Sequence, residues 1–168
     1  NTKLTIFKDK VVAIDANNNE LRSNYAEYDK NLKLLISKGE TTILTSEGFF
    51  LTGKDIIFDN EKNLIKSDNP AVIKDLEKNN IYLEKFEYST INKFFTSTGN
   101  IKIVDTRNNS YNFTQIYIDE VKREIIGTDI KAFLNQDSFK INNKNKPRIF
   151  ANTVSIKNNK SKFNKSVF

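Results

Sequence analysis

Four stretches of this chain can be laid over one another at a spacing of 30 residues without a gap. Leu21, Leu51, Ile81 and Tyr111 form one apolar column, and Ala26, Ile56, Phe86 and Ile116 form a second. Leu35, Ile65, Phe95 and Ile125 form a third, and Ile43, Ile73, Ile103 and Phe133 a fourth. Between the last two columns sits a small residue, Ser37, Ser67, Ser97 or Gly127, and a turn position follows at Gly39, Asn69 and Gly99. A fixed period of this length makes each unit a supersecondary element whose apolar face is covered by its neighbours. Any fold proposed for the chain has to stack these units.

Each unit reads as strand, tight turn, strand. In the first, Leu21–Tyr28 is a strand, Asp29-Lys30-Asn31 a turn and Leu32–Ser37 a second strand, followed by a break at Lys38-Gly39 and by Thr41–Leu44. Within one strand the apolar positions switch parity: Leu21 and Leu51 are odd, whereas Ala26, Tyr28, Ile56 and Phe58 are even. Side chains alternate across a strand, so a parity switch requires a bulge or bend, placed here near Tyr25 and Asp55. The polar links Asp15–Glu20, Asp75–Asn80 and Asp105–Ser110 recur at the same period and suit hairpin turns, because Asn and Asp tolerate left-handed backbone. Helical spacing is weak throughout. The expectation is an all-β sandwich or open barrel-like stack.

The ends of the repeat are irregular. Leu4–Ile14 matches the second half of an earlier unit, and Asn135–Lys146 reads as a polar insertion. Past the insertion a shift of eight residues restores the register, with Ile149, Ile156 and Phe163 taking the places of Tyr111, Ile118 and Ile125.

Composition narrows the chemistry. The 168 residues suffice for one domain with a real core. There is no Cys and no His, so a disulfide framework, thiolate and imidazole metal sites and the usual general base near neutral pH are all excluded. Asp, Glu, Lys and Tyr remain, and no cluster of them marks a catalytic cleft; the expectation is no enzyme, no cofactor and no metal. Asp29, Asp59 and Asp119 recur like a carboxylate ladder for Ca²⁺ but read better as turn residues, and Ser89 interrupts the series. A net charge of +6 favours anionic partners, with a denser group at Lys157, Lys160, Lys162 and Lys165. Nucleic acid is disfavoured, since it wants exposed aromatics between the cations and here the aromatics occupy the apolar columns. No apolar run approaches the roughly 18–20 residues of a membrane helix.

Two segments carry a resemblance: Ala26-Glu27-Tyr28-Asp29 with Leu35–Ile43, and Phe86-Glu87-Tyr88-Ser89 with Phe95–Ile103. Their pattern, apolar-x-Tyr-Asp, a turn, then apolar-x-Ser-x-Gly-x-apolar-x-apolar, resembles the OstA-type repeat of the lipopolysaccharide-transport proteins LptA, LptC and the N-terminal part of LptD. The section from Tyr117 through Gly127–Ala132, Ile149–Asn152 and Ser166–Phe168 is similar to the end of the LptD N-terminal domain. The resemblance implies a twisted, V-shaped β-jellyroll spanning residues 1–168, with an outer-membrane β-barrel following in a longer chain. It implies a periplasmic location, or the periplasmic face of the outer membrane, and lipopolysaccharide as the ligand. Its protein partners would be an LptA-like bridge protein docked at an edge strand and, in an LptD context, the barrel and its lipoprotein. The expected apolar trough is lined by Leu35, Ile43, Phe58, Ile65, Ile73, Phe86, Tyr88, Phe95, Ile103, Ile118, Ile125 and Phe133, with room left along the line of Ser37, Ser67, Ser97 and Gly127. The end strands, Leu4–Ile14 and Ile149–Phe168, are expected to stay unpaired within the domain for docking. The alternatives are a closed β-solenoid or adhesin-like spacer with a filled interior, and an enzyme on a β-helix.

Overall fold

The computed structural model describes residues 4–135, 147–158 and 160–167. Most of the expected insertion at Asn135–Lys146, and Phe168, lie outside them. The described residues form fifteen antiparallel strands and no helix. They are β1 (Leu4–Ile14), β2 (Glu20–Asp29), β3 (Leu34–Ser37), β4 (Glu40–Leu44), β5 (Phe50–Lys54), β6 (Ile57–Asp59), β7 (Leu64–Ser67) and β8 (Ala71–Lys74). There follow β9 (Asn80–Leu83), β10 (Phe86–Ser89), β11 (Phe94–Val104), β12 (Ser110–Asp119), β13 (Glu124–Phe133), β14 (Arg148–Lys157) and β15 (Lys160–Val167).

The pairing resolves these strands into two facing layers. One carries β3, β6, β7 and β10 in order, the other β4, β5, β8 and β9. Each long strand belongs to both. The first half of β2 pairs with β4 and its second half with β3. On the far side β11 pairs with β10 through its first half and with β9 through its second. Beyond it β12, β13, β14 and β15 extend both layers.

The chain therefore crosses between layers along one bend line, at Lys38-Gly39, Asp55 and similar points, and reverses within a layer at turns along the opposite side. The bends are built locally. Pairing slips between Lys8 and Val11 in β1 and between Thr98 and Ile101 in β11, and the backbone turns left-handed at Gly39, Asp55, Gly99 and Asp129. Gly39 and Gly99, with φ of 78° and 113°, occupy a conformation that disfavours other residues. The turns repeat as well: left-handed residues recur at Asn18, Gly48, Lys78 and Asn108 in one layer and at Lys33, Asn63, Lys93 and Arg123 in the other.

Two expectations need correction here. Leu32 belongs to the turn before β3 and is exposed rather than part of a strand, because the turn needs Lys33 left-handed. The end segments are not unpaired. β1 lies along the whole of β2, and residues 148–167 form a hairpin of which β14 is paired on both sides. Among the described residues β1 and β15 each keep one open edge.

Candidate functional site

Between the layers the repeat columns stack into one continuous apolar interior. Eleven of the twelve residues expected in the trough lie there, from Ile65 and Ile73 at 0% exposure to Leu35 at 7%. The centre is aromatic: the rings of Tyr88 and Phe95, directly opposite each other on β10 and β11, stack at 4.3 Å, and Phe86 and Phe49 approach Phe95 at 6.2 and 6.4 Å. The interior also includes Phe49, Ile101, Phe113, Ile130, Ile149 and Val154, which the expected trough omits.

Phe133 is the exception. The equivalent stretches of β4, β8 and β11 bury residues 41 and 43, 71 and 73, 101 and 103, whereas β13 buries Ile130 and Ala132. One residue fewer separates the bend from the strand end, and a one-residue slip puts each side chain on the other face. Phe133 is consequently half-buried, with the Arg148 guanidinium 5.7 Å from its ring centre.

The line of small residues does not leave room. Ser37 Oγ receives the Ile56 N–H at 3.0 Å, while Ser67 and Ser97 donate to the carbonyls of Lys54 and Lys85 at 2.7 Å. These hydroxyls pair backbone groups that the bends strip of strand partners. At Gly127 the space is taken by Phe113.

The side opposite the bends is the mouth, where turns of one layer meet turns of the other. Asn17 Nδ2 donates to Thr90 Oγ1 at 3.2 Å. One unit further on, Thr45 Oγ1 donates to Glu120 Oε1 at 2.8 Å, and Lys93 Nζ donates to Ser46 Oγ at 2.6 Å. Tyr88 completes the second tie by donating to Glu120 Oε2 at 2.6 Å. Glu120 is 2% exposed, and burial pushes its carboxyl up to about 7 against the opposing pull of the two hydroxyls and Lys93. Burial and the Glu120 contact together raise the Tyr88 hydroxyl far above its usual range.

At the third place Leu76 and Glu77 face Lys157 and Asn158, and among the described residues no hydrogen bond or ion pair joins these four to one another. A recess of about 20 Å³ with Phe49, Ile118, Ile125 and Ile156 in its walls lies there. An adjoining recess of about 70 Å³ is lined by Ile103, Tyr111, Ile125 and Ile156 beneath Arg107 and Ser161. Both recesses meet Asn79, whose buried Oδ1 has no hydrogen-bond partner among the described residues. Its repeat equivalents do: Asn19 Oδ1 accepts the Ser46 N–H and Asn109 Oδ1 the Asn135 N–H. Tyr111, bonded to Asp105 at 3.2 Å, is raised to about 12 by burial first and then by that carboxylate.

The acidic turn residues cap their own turns. Asp29 Oδ1 accepts from the backbone of Asn31 and Leu32, and the carboxyls of Asp59 and Asp119 are held low by the N–H groups of Lys62 and Lys122. Lys157, Lys160, Lys162 and Lys165 are exposed on β14 and β15. Glu120 and Thr45 were not singled out by periodicity alone. Their signal is a break in it, since Thr45 stands where Asp15, Asp75 and Asp105 recur, and Phe49 where Asn19, Asn79 and Asn109 do.

No protein-family profile and no curated protein sequence matches the chain. Its fold matches the crystal structure of LptH, the LptA-homologous periplasmic component of the conserved lipopolysaccharide transport device from Pseudomonas aeruginosa. The TM-score is 0.56 at 14% sequence identity, over 77% of this chain and 91% of that one. The two chains share an LptA-like β-jellyroll.

Proposed function

We propose that this chain is an OstA-like lipopolysaccharide-transport domain that takes acyl chains between its two layers and relays them across the periplasm, with no bond made or broken. The observation that carries the reading is the jellyroll shared with a periplasmic transport component, with an unbroken apolar interior reached along one row of turns. In the closed form the recesses hold a few waters, not an acyl chain, so the layers must part. The energies allow it. Burying a chain of about a dozen methylenes is worth on the order of 10 kcal/mol, whereas each hydrogen bond across the mouth contributes about 1 kcal/mol net.

Relay needs neighbours, and the open apolar edge of β1 suits strand addition by a domain of the same fold. The resemblance of the stretch from Tyr117 to Ala132 to the end of the LptD N-terminal domain supports a position at the end of such a bridge, next to the outer membrane.

The test is a photo-reactive phenylalanine at Phe95 or Phe49, with exposed Phe50 as control, in a host that makes lipopolysaccharide. Adducts from the interior positions and none from Phe50 are expected; none from any position would overturn the reading. A second reading, a closed spacer, is favoured by one observation: the central aromatics already pack ring against ring. It predicts no adduct.

A further inference from the structure

We infer that the Glu120–Thr45 tie is a latch, which holds the two layers together across the mouth and whose release opens the interior. What passes the latch rests on the transport reading; the latch itself rests on geometry. Glu120 sits in the turn between β12 and β13, and Thr45 in the turn between β4 and β5, in opposite layers and 75 residues apart.

The repeat shows that the pair departs together from its units. In the three other turns of that layer an Asp caps its own hairpin, as Asp15 Oδ1 does by accepting from the backbone of Asn17 and Asn19. A carboxylate at position 45 could only accept, and it would stand against a second carboxylate. Thr45 keeps the capping role, accepting the Phe49 N–H at 3.1 Å, and adds the proton that Glu120 needs. Phe49 departs in the same turn. It replaces a turn Asn with a ring packed towards Phe95, so the segment carrying the latch also carries a plug of the interior. Glu120 has no ion pair among the described residues; two hydroxyls hold it, and Lys93 is spent on Ser46. A buried carboxyl held this way is tied firmly enough to stay shut, yet has no salt bridge to break on opening.

The chain has no Cys, so a pair introduced at exposed Glu47 and Val121, beside the two halves of the latch, takes spin labels alone. Distances between them are measured by pulsed EPR at about pH 8, where Glu120 is ionised, in the parent, in Glu120→Ala and in Thr45→Asp. The last variant restores the residue of the other turns, which fold with it, and so guards against simple misfolding of Glu120→Ala. A fluorescent dodecanoate reports uptake in the same proteins. The latch predicts a wider, longer distance distribution in both variants and uptake faster on the order of tenfold, the scale of losing one hydrogen bond to a charged group. An unchanged distribution in folded Thr45→Asp would overturn the latch, as would widening when the parent takes up the probe and the variants take it up no faster. Widening with no uptake by any protein, parent included, would support the latch and overturn the transport reading instead.

Discussion

Gly127 lies so close to the ring of Phe113 that a Cβ built on it would stand 2.2 Å from that ring. Gly127 and Ile116 are direct partners across β12 and β13, and Phe113 reaches over them from the other side of the bend. The absent side chain is thus the seat of an aromatic one. Gly127→Ala should destabilise the fold by about 1–3 kcal/mol through overpacking. Adding Phe113→Ala should recover part of that loss, a non-additivity that denaturant unfolding of the two single variants and the double would reveal.

Ser37 is a bend residue, not a spacer for ligand. Its Oγ accepts the buried Ile56 N–H and is also bonded by Thr41 Oγ1 at 2.8 Å. Ser37→Ala should cost roughly 1–3 kcal/mol by orphaning a buried donor. Ser37→Cys, similar in size and a poor acceptor, should restore little of it. Chemical unfolding of the pair checks this.

Stability should fall as pH rises from about 4.5 to about 7. In that window the folded chain keeps a proton on Glu120, held there by burial and by nearby Glu47 against Tyr88, Thr45 and Lys93, whereas the unfolded chain has released it. Folding then takes up a proton, so each unit of pH costs up to about 1.4 kcal/mol, on the order of 3 kcal/mol in all. Above about 7 both states are ionised and this slope ends. Urea midpoints across the range should show the decline, and Glu120→Gln should flatten it.

The two open edges differ in chemistry. β1 exposes Leu4, Ile6, Phe7, Val12 and Ile14 on either side of Lys8-Asp9-Lys10, whereas β15 carries Lys160, Lys162 and Lys165 with Val167 its one large exposed apolar side chain. Lysines on an edge discourage pairing, and apolar side chains invite it. Ile6→Lys with Val12→Lys should weaken docking of a jellyroll partner by tenfold or more while leaving stability within about 0.5 kcal/mol. Calorimetric titration with the partner domain, beside thermal unfolding of the variant, separates the two effects.

The fold was legible because the repeat states it several times. The parity switch near Tyr25 and Asp55 marks the bends, and the Asp–Asn links mark the turns. Phe133 was misplaced because the loss of one residue beyond Asp129 leaves the column spacing intact in sequence while reversing the face. The serine line was misread for a similar reason: size is visible in a sequence, but the backbone carbonyls of Lys54 and Lys85 that those hydroxyls satisfy come from the preceding bend. Glu120 was hidden in an ordinary turn, since its partners Thr45 and Tyr88 lie 75 and 32 residues away. Periodicity reports what units share, and the mouth is built from what they do not.

Transport as proposed puts acyl chains between the layers. Ile43, Ile65, Ile73, Ile103, Ile118 and Ile125 all face that interior, whereas Ile14, Ile91 and Ile126 are exposed. Methyl NMR of isoleucine-labelled protein during titration with lipopolysaccharide reads both sets at once. Shifts and acyl-chain NOEs are expected at the interior methyls, strongest at Ile103 and Ile125 beside the recesses. Changes confined to Ile14, Ile91 and Ile126, with the interior methyls unmoved at saturation, would contradict it.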